Sequence, residues 1–200
     1  MSLNEHVSLK FTLLSALLLL SLLFGLSTGP ALAQGEGVII SEVAWAGTEA
    51  SWADEWLELH NVSRTDKDLS GWTISWEDTE IKLTDGAKIP AGGYYLLERT
   101  DQKTVKSVKA KSLFTGGLSN DGEKITLRDE TGKVIEMLDF REGWPAGGSF
   151  ENKERVSMVK VRGSWKNSRG NWKEKDAEGN LIPGTPGYGS DGQGEKNKTD

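Results

Sequence analysis

Beyond residue 33 the chain is a succession of short segments in which apolar and polar residues alternate, each closed by a cluster of Gly, Pro, Asn or Asp, and no stretch carries an apolar stripe at helical spacing. Successive side chains of a strand point to opposite faces, so a period of two marks a strand with one face in a core. Residues 38–45 (VIISEVAW) open the series. Residues 54–61 (DEWLELHN) put Leu57 and Leu59 on one side, and Trp56, Glu58 and His60 on the other. Residues 71–76 align Trp72, Ile74 and Trp76. Further strands are expected at 80–83, 94–99, 124–128, 133–139 and 155–162, with a weakly alternating, Lys- and Ser-rich stretch at 103–112. Turn signals stand between them: Pro90 with Ala91-Gly92-Gly93, GGLSNDGE at 116–123, and DETG at 129–132. Eight or nine short strands at such spacing specify an all-β sandwich or barrel. Leu57, Leu59, Trp72, Ile74, Leu97, Ile125 and Leu127 are its expected core. The carboxylates of 54–61 are expected at the start and on the outer face of their strand, with Asn61 and Ser63 in the turn that follows.

The first 33 residues obey a different pattern. A polar start with Lys10 leads into the apolar run 11–26, and Ala31-Leu32-Ala33 follows. This is the order of a secretory signal peptide. The run is shorter than the ~20 residues a spanning helix needs. The expectation is a signal helix at 1–33 cleaved to leave Gln34, a short linker at 34–37, and an exported protein: extracellular, periplasmic or held at the cell envelope. An uncleaved signal would be the sole tie to a membrane.

Composition then narrows the chemistry. The chain has no Cys, so stability rests on a packed core rather than disulfides, and about 165 residues can build one. Of its two His, His6 lies in the signal, which leaves His60. One His and no thiol argue against zinc sites, Cys–His pairs and Ser–His–Asp triads. The net charge is −6 but unevenly spread. Residues 34–102 hold fourteen acids against five bases; residues 153–175 hold eight bases against two acids. A basic segment on an acidic chain can mark an anionic partner, or one face of the domain attracting another.

Five pieces in order carry a resemblance: VIISEVAWAG from 38, DEWLELHNVSRTDKDLSGWTIS from 54, IPAGGYYLLERTD from 89, LSNDGEKITLRDETGKVIEMLDF from 118 and GTPGYGS from 184. The chain resembles the lamin-tail domains, in particular their bacterial exported branch, from Val38 to Gly189. That resemblance implies an immunoglobulin-like β-sandwich over 38–189, with 163–189 irregular and packed on the sheet. It also implies a non-enzymatic interaction module, with no catalytic residues to carry over. Residues 190–200 lack any apolar side chain and are expected to be a disordered tail.

Three groups of residues are candidate sites. The segment 153–173 interleaves Lys153, Arg155, Lys160, Arg162, Lys166, Arg169 and Lys173 with Trp165 and Trp172, the composition of a surface for nucleic acid or another polyanion. Lys on a strand edge also blocks aggregation. Glu42, Glu49, Asp54, Glu55 and Glu58 would suit Ca²⁺ if they converged, or acid–base hydrolysis if two stood at the right separation. Eight Trp are many for this length; core packing is the leading reading, and exposed rings could stack on sugars or bases. NVS at 61–63 and NKT at 197–199 fit a glycosylation pattern that matters only in a host performing it. The expectation is a monomeric binding module with no cofactor and no bound metal, whose partner is a protein or an anionic polymer, nucleic acid or envelope polymer included. A nucleic-acid- or carbohydrate-binding accessory protein is one alternative; a small secreted metal-dependent hydrolase is the other.

Overall fold

The computed structural model describes residues 37–149, 155–169 and 172–189. The expectations of a signal helix at 1–33 and a disordered tail from Ser190, and the candidate Lys153, fall outside the described residues.

Fourteen strands and no helix occur among those residues: β1 (Val38–Ala44), β2 (Trp56–Asn61), β3 (Lys67–Asp68), β4 (Thr73–Trp76), β5 (Thr79–Lys82), β6 (Lys88–Ile89), β7 (Tyr94–Arg99), β8 (Ser112–Phe114), β9 (Lys124–Arg128), β10 (Val134–Asp139), β11 (Gly148–Ser149), β12 (Arg155–Val156), β13 (Met158–Val161) and β14 (Ser164–Asn167). A six-stranded sheet has the order β14-β13-β1-β2-β7-β8, and a four-stranded sheet the order β10-β9-β4-β5. All neighbours in these two sheets run antiparallel except β7 and β8. The pairs β3–β6 and β11–β12 form small ribbons.

The sheets close on one core. Ile40, Val43, Leu57, Leu59, Leu97 and Met158 of the large sheet meet Ile74, Trp76, Ile125, Leu127 and Leu138 of the small one. All seven residues expected in the core are buried there. Burying such a side chain contributes about 1.5–3 kcal/mol, which lets a chain without disulfides hold together. Lys160 of β13 forms an ion pair with Glu136 of β10, and so ties the inner faces of the two sheets.

Two local expectations are corrected. Residues 103–112 do not form an alternating strand; the extended part is β8, displaced to 112–114, where Phe114 packs edge-on against Trp76. The stretch from Gly163 is not irregular at its start, because Ser164–Asn167 pairs with β13 in register. A two-residue turn makes that hairpin: Arg162 (φ 50°) and Gly163 (φ 80°) both adopt left-handed backbone, the twist that joins adjacent antiparallel strands. Glu55 and Glu58 lie where expected, at the entry and on the outer face of β2, and both are buried. The pattern along β2 is right, since Leu57 and Leu59 face the core. The outer face is covered as well, by residues far away in sequence.

Candidate interaction surface

Two segments cover part of the outer face of the large sheet. Residues 102–111 bring Val105 and Ala110, and the C-terminal strap 182–189 brings Ile182, against Ala44, Trp56 and Leu96. Gly184 lies so close to the sheet that a Cβ there would stand 2.8 Å from Trp56 and 3.0 Å from a Glu42 oxygen. Polar bonds then seat the strap. Glu42 accepts the Thr185 N–H at 2.8 Å and the hydroxyls of Thr185 and Ser157. Glu58 accepts the Gly187 N–H. Burial raises the Glu42 carboxyl to about 7, against the opposing pull of those donors. Burial, together with the facing Glu42, holds Glu58 well above the usual carboxylate range.

The rest of the outer face is less covered. His60 and Tyr94 are paired across β2 and β7, and their rings stack at 4.3 Å. They border a hollow of about 170 Å³ with Ile39, Thr185 and Tyr188. Val159 continues that hollow into a groove of about 490 Å³ whose floor is Val159 and Val161 and whose rim carries Lys166 and Arg169.

Within the basic segment the structure sorts residues that sequence could only group. Arg155 is half-buried and donates to the Ala46 carbonyl. Lys160 is committed to Glu136 and sits 5.7 Å over the Trp165 ring. Trp165 is half-buried and meets Phe140 edge-on at 5.9 Å, so it packs rather than displays its face. Trp172 is half-buried, and its indole N–H is enclosed. Lys173 lies 5.1 Å over the Tyr188 ring of the strap. Arg162, Lys166 and Arg169 are exposed and make no ion pair with a described residue. The basic surface is therefore the outer side and tip of the β13–β14 hairpin.

Of the candidate carboxylates only Glu42 and Glu58 come together, as a facing pair. Glu55 bonds Arg99 at 3.1 Å and the Leu118 N–H at 2.8 Å, Asp54 takes the Thr48 hydroxyl at 2.8 Å, and Glu42 and Glu58 hold the strap. Among the described residues no group of three or more His, Asp and Glu is placed to hold a metal ion. Of the other Trp, Trp45 stacks on Trp144 at 5.7 Å, Trp56, Trp72 and Trp76 are buried, and Trp52 is 66% exposed with Arg99 over its ring. Sequence reasoning missed the Glu42–Glu58 latch and the His60–Tyr94 stack. The latch has a faint signal, a Gly-rich GTPGYG whose backbone N–H groups need acceptors.

Two packed, mostly antiparallel sheets with segments gathered over one outer face define a β-sandwich. The family model that matches is the Lamin Tail Domain, over residues 32–142, and the chain belongs to that family, whose immunoglobulin-like fold serves as an interaction module. A search of curated proteins returns no match. The matched span ends before β11, so the β13–β14 hairpin and the strap lie beyond it.

Proposed function

We propose that this chain is an exported, non-enzymatic interaction module that holds an anionic partner on the outer side of its β13–β14 hairpin. One observation carries this reading. Lys166 and Arg169 line an apolar-floored groove, Arg162 stands at the adjoining hairpin tip, and none of the three has an ion-pair partner among the described residues, on a chain whose net charge is −6. Lys160 and Arg99, by contrast, are each held by a carboxylate. The A-x-A pattern at 31–33 supports export, and the structural hydrogen bonds that occupy Asp54, Glu55, Glu42 and Glu58 favour binding over hydrolysis.

The test is a titration of the chain with soluble polyanions, polyglutamate and polyphosphate among them, at low and high salt. Affinity should fall with salt, and the triple reversal Arg162→Glu, Lys166→Glu, Arg169→Glu should remove it while leaving the melt intact, since exposed charges add little stability. Absence of binding at low salt rejects the reading. Intact-mass analysis of the exported protein tests the other half: a chain starting at Gln34 is expected, and retention of residues 1–33 would mean an anchor.

A further inference from the structure

We infer that the free side of β14 is a docking edge, and that its occupant is an extended acidic polypeptide that joins the large sheet as an additional strand. The inference rests on the proposed anionic partner and specifies what that partner is.

β14 ends the six-stranded sheet, and no described residue pairs with its outer side. The two-residue turn makes Val161 and Ser164 the hydrogen-bonded pair that closes the hairpin. Pairs alternate along an antiparallel ladder, so Val159 and Lys166 form the next bonded pair. The Ser168 N–H bond to the Ser157 carbonyl, at 2.9 Å, continues the same alternation. The N–H and C=O groups of Trp165 and Asn167 therefore point away from β13. Two residues that each offer a donor and an acceptor on one line are the template for an added strand.

Charge selects what comes. Ser164 and Lys166 face the outer side, with Arg162 at the tip and Arg169 just beyond the strand. A like basic edge is repelled. An incoming strand that alternates acidic and apolar residues places its acids beside Lys166 on the outer face and its apolar side chains beside Trp165 on the inner one. Nucleic acid fits less well. It has no peptide edge to pair, its bases cannot stack on a Trp165 ring already packed against Phe140, and three cations are few on a chain of net charge −6.

The experiment titrates the whole chain with three probes by fluorescence anisotropy: a peptide alternating Glu and Val over ten residues, the same peptide N-methylated throughout, and an oligothymidylate. The Glu–Val peptide is expected to bind, with new hydrogen-exchange protection at the Trp165 and Asn167 amides. N-methylation removes the donors to their carbonyls and should weaken binding about 10- to 30-fold at unchanged charge. If the triple charge reversal leaves peptide binding unchanged, the anionic-partner reading itself fails. If reversal abolishes binding but N-methylation changes nothing, the cationic surface stands and the added strand is overturned. Tighter binding of the oligothymidylate overturns the polypeptide in favour of nucleic acid. Self-association in sedimentation that the reversal removes overturns a separate partner in favour of a second copy, whose β5 edge carries Glu80 beside Glu77 and Asp78.

Discussion

Glu42 and Glu58 stand opposite each other on β1 and β2, both on the outer face of the large sheet and both buried beneath the strap. Two carboxylates so placed cannot both be ionised cheaply, because each is desolvated and each opposes the other's charge. The strap's N–H groups and the nearby hydroxyls compensate in part. The pair is thus a proton-dependent latch between residues 100 and more positions apart, as Glu42 and Thr185 are.

Stability should therefore fall as pH rises through neutrality. Burial raises Glu42, Glu55 and Glu98 to about 7 and, with the facing Glu42, holds Glu58 well above the usual carboxylate range, whereas unfolded Glu titrates near ~4.3. A group raised in the folded state stabilises fully below its unfolded value and loses that contribution as pH climbs through its folded value. Thermal melts should be highest near pH 5 and decline toward pH 8. Glu58→Gln should flatten the decline. An unchanged melting temperature from pH 5 to pH 8 would contradict the buried placement of these groups.

The core supplies a second test. Leu59 is fully buried, opposite Ile40 on β1 and Tyr95 on β7. Leu59→Ala should cost about 2–5 kcal/mol in denaturant unfolding, the usual range for truncating a buried Leu.

How much of this was legible follows from where the information lies. Period two identified β2, β4, β7, β9 and β10, because each strand's inner face is set by its own residues. It gave Glu58 its face but not its cover, residues 182–189, which form no periodic element and reach the site only through tertiary contact. It failed for Ser164–Asn167 because an edge strand with only one neighbour shows weak alternation. For the basic segment, composition could not separate Lys160, whose partner Glu136 lies on the other sheet, from Lys166, which has no ion-pair partner among the described residues.

Trp165 distinguishes packing from ligand stacking. Its ring meets Phe140 edge-on and lies beneath Lys160. Trp165→Ala should lower the melting temperature, at a cost of about 2–3 kcal/mol, below the full range for a completely buried Trp. Affinity for polyphosphate, which brings no apolar side chain to the ring, should change little when measured below the transition. A large loss of affinity with an unchanged melt would instead make the ring a contact surface.

Arg162 offers the sharpest separation of stability from binding. Its φ of 50° places a long, Cβ-bearing side chain in left-handed backbone, which costs about 1–2 kcal/mol relative to the right-handed region. Asn tolerates that conformation, and Asn-Gly is the preferred pair for this two-residue turn. Arg162→Asn should therefore stabilise the domain by about 1 kcal/mol. The same change removes a cation from the tip of the β13–β14 hairpin. If that tip serves the anionic partner, affinity for polyglutamate should drop and its salt dependence should become shallower. A strained Arg kept where Asn would fit better then marks a position where binding outweighs stability. Equilibrium unfolding and the peptide titration, run on the one variant, read both effects. Stabilisation with undiminished affinity would remove Arg162 from the binding surface and leave Lys166 and Arg169 to carry it.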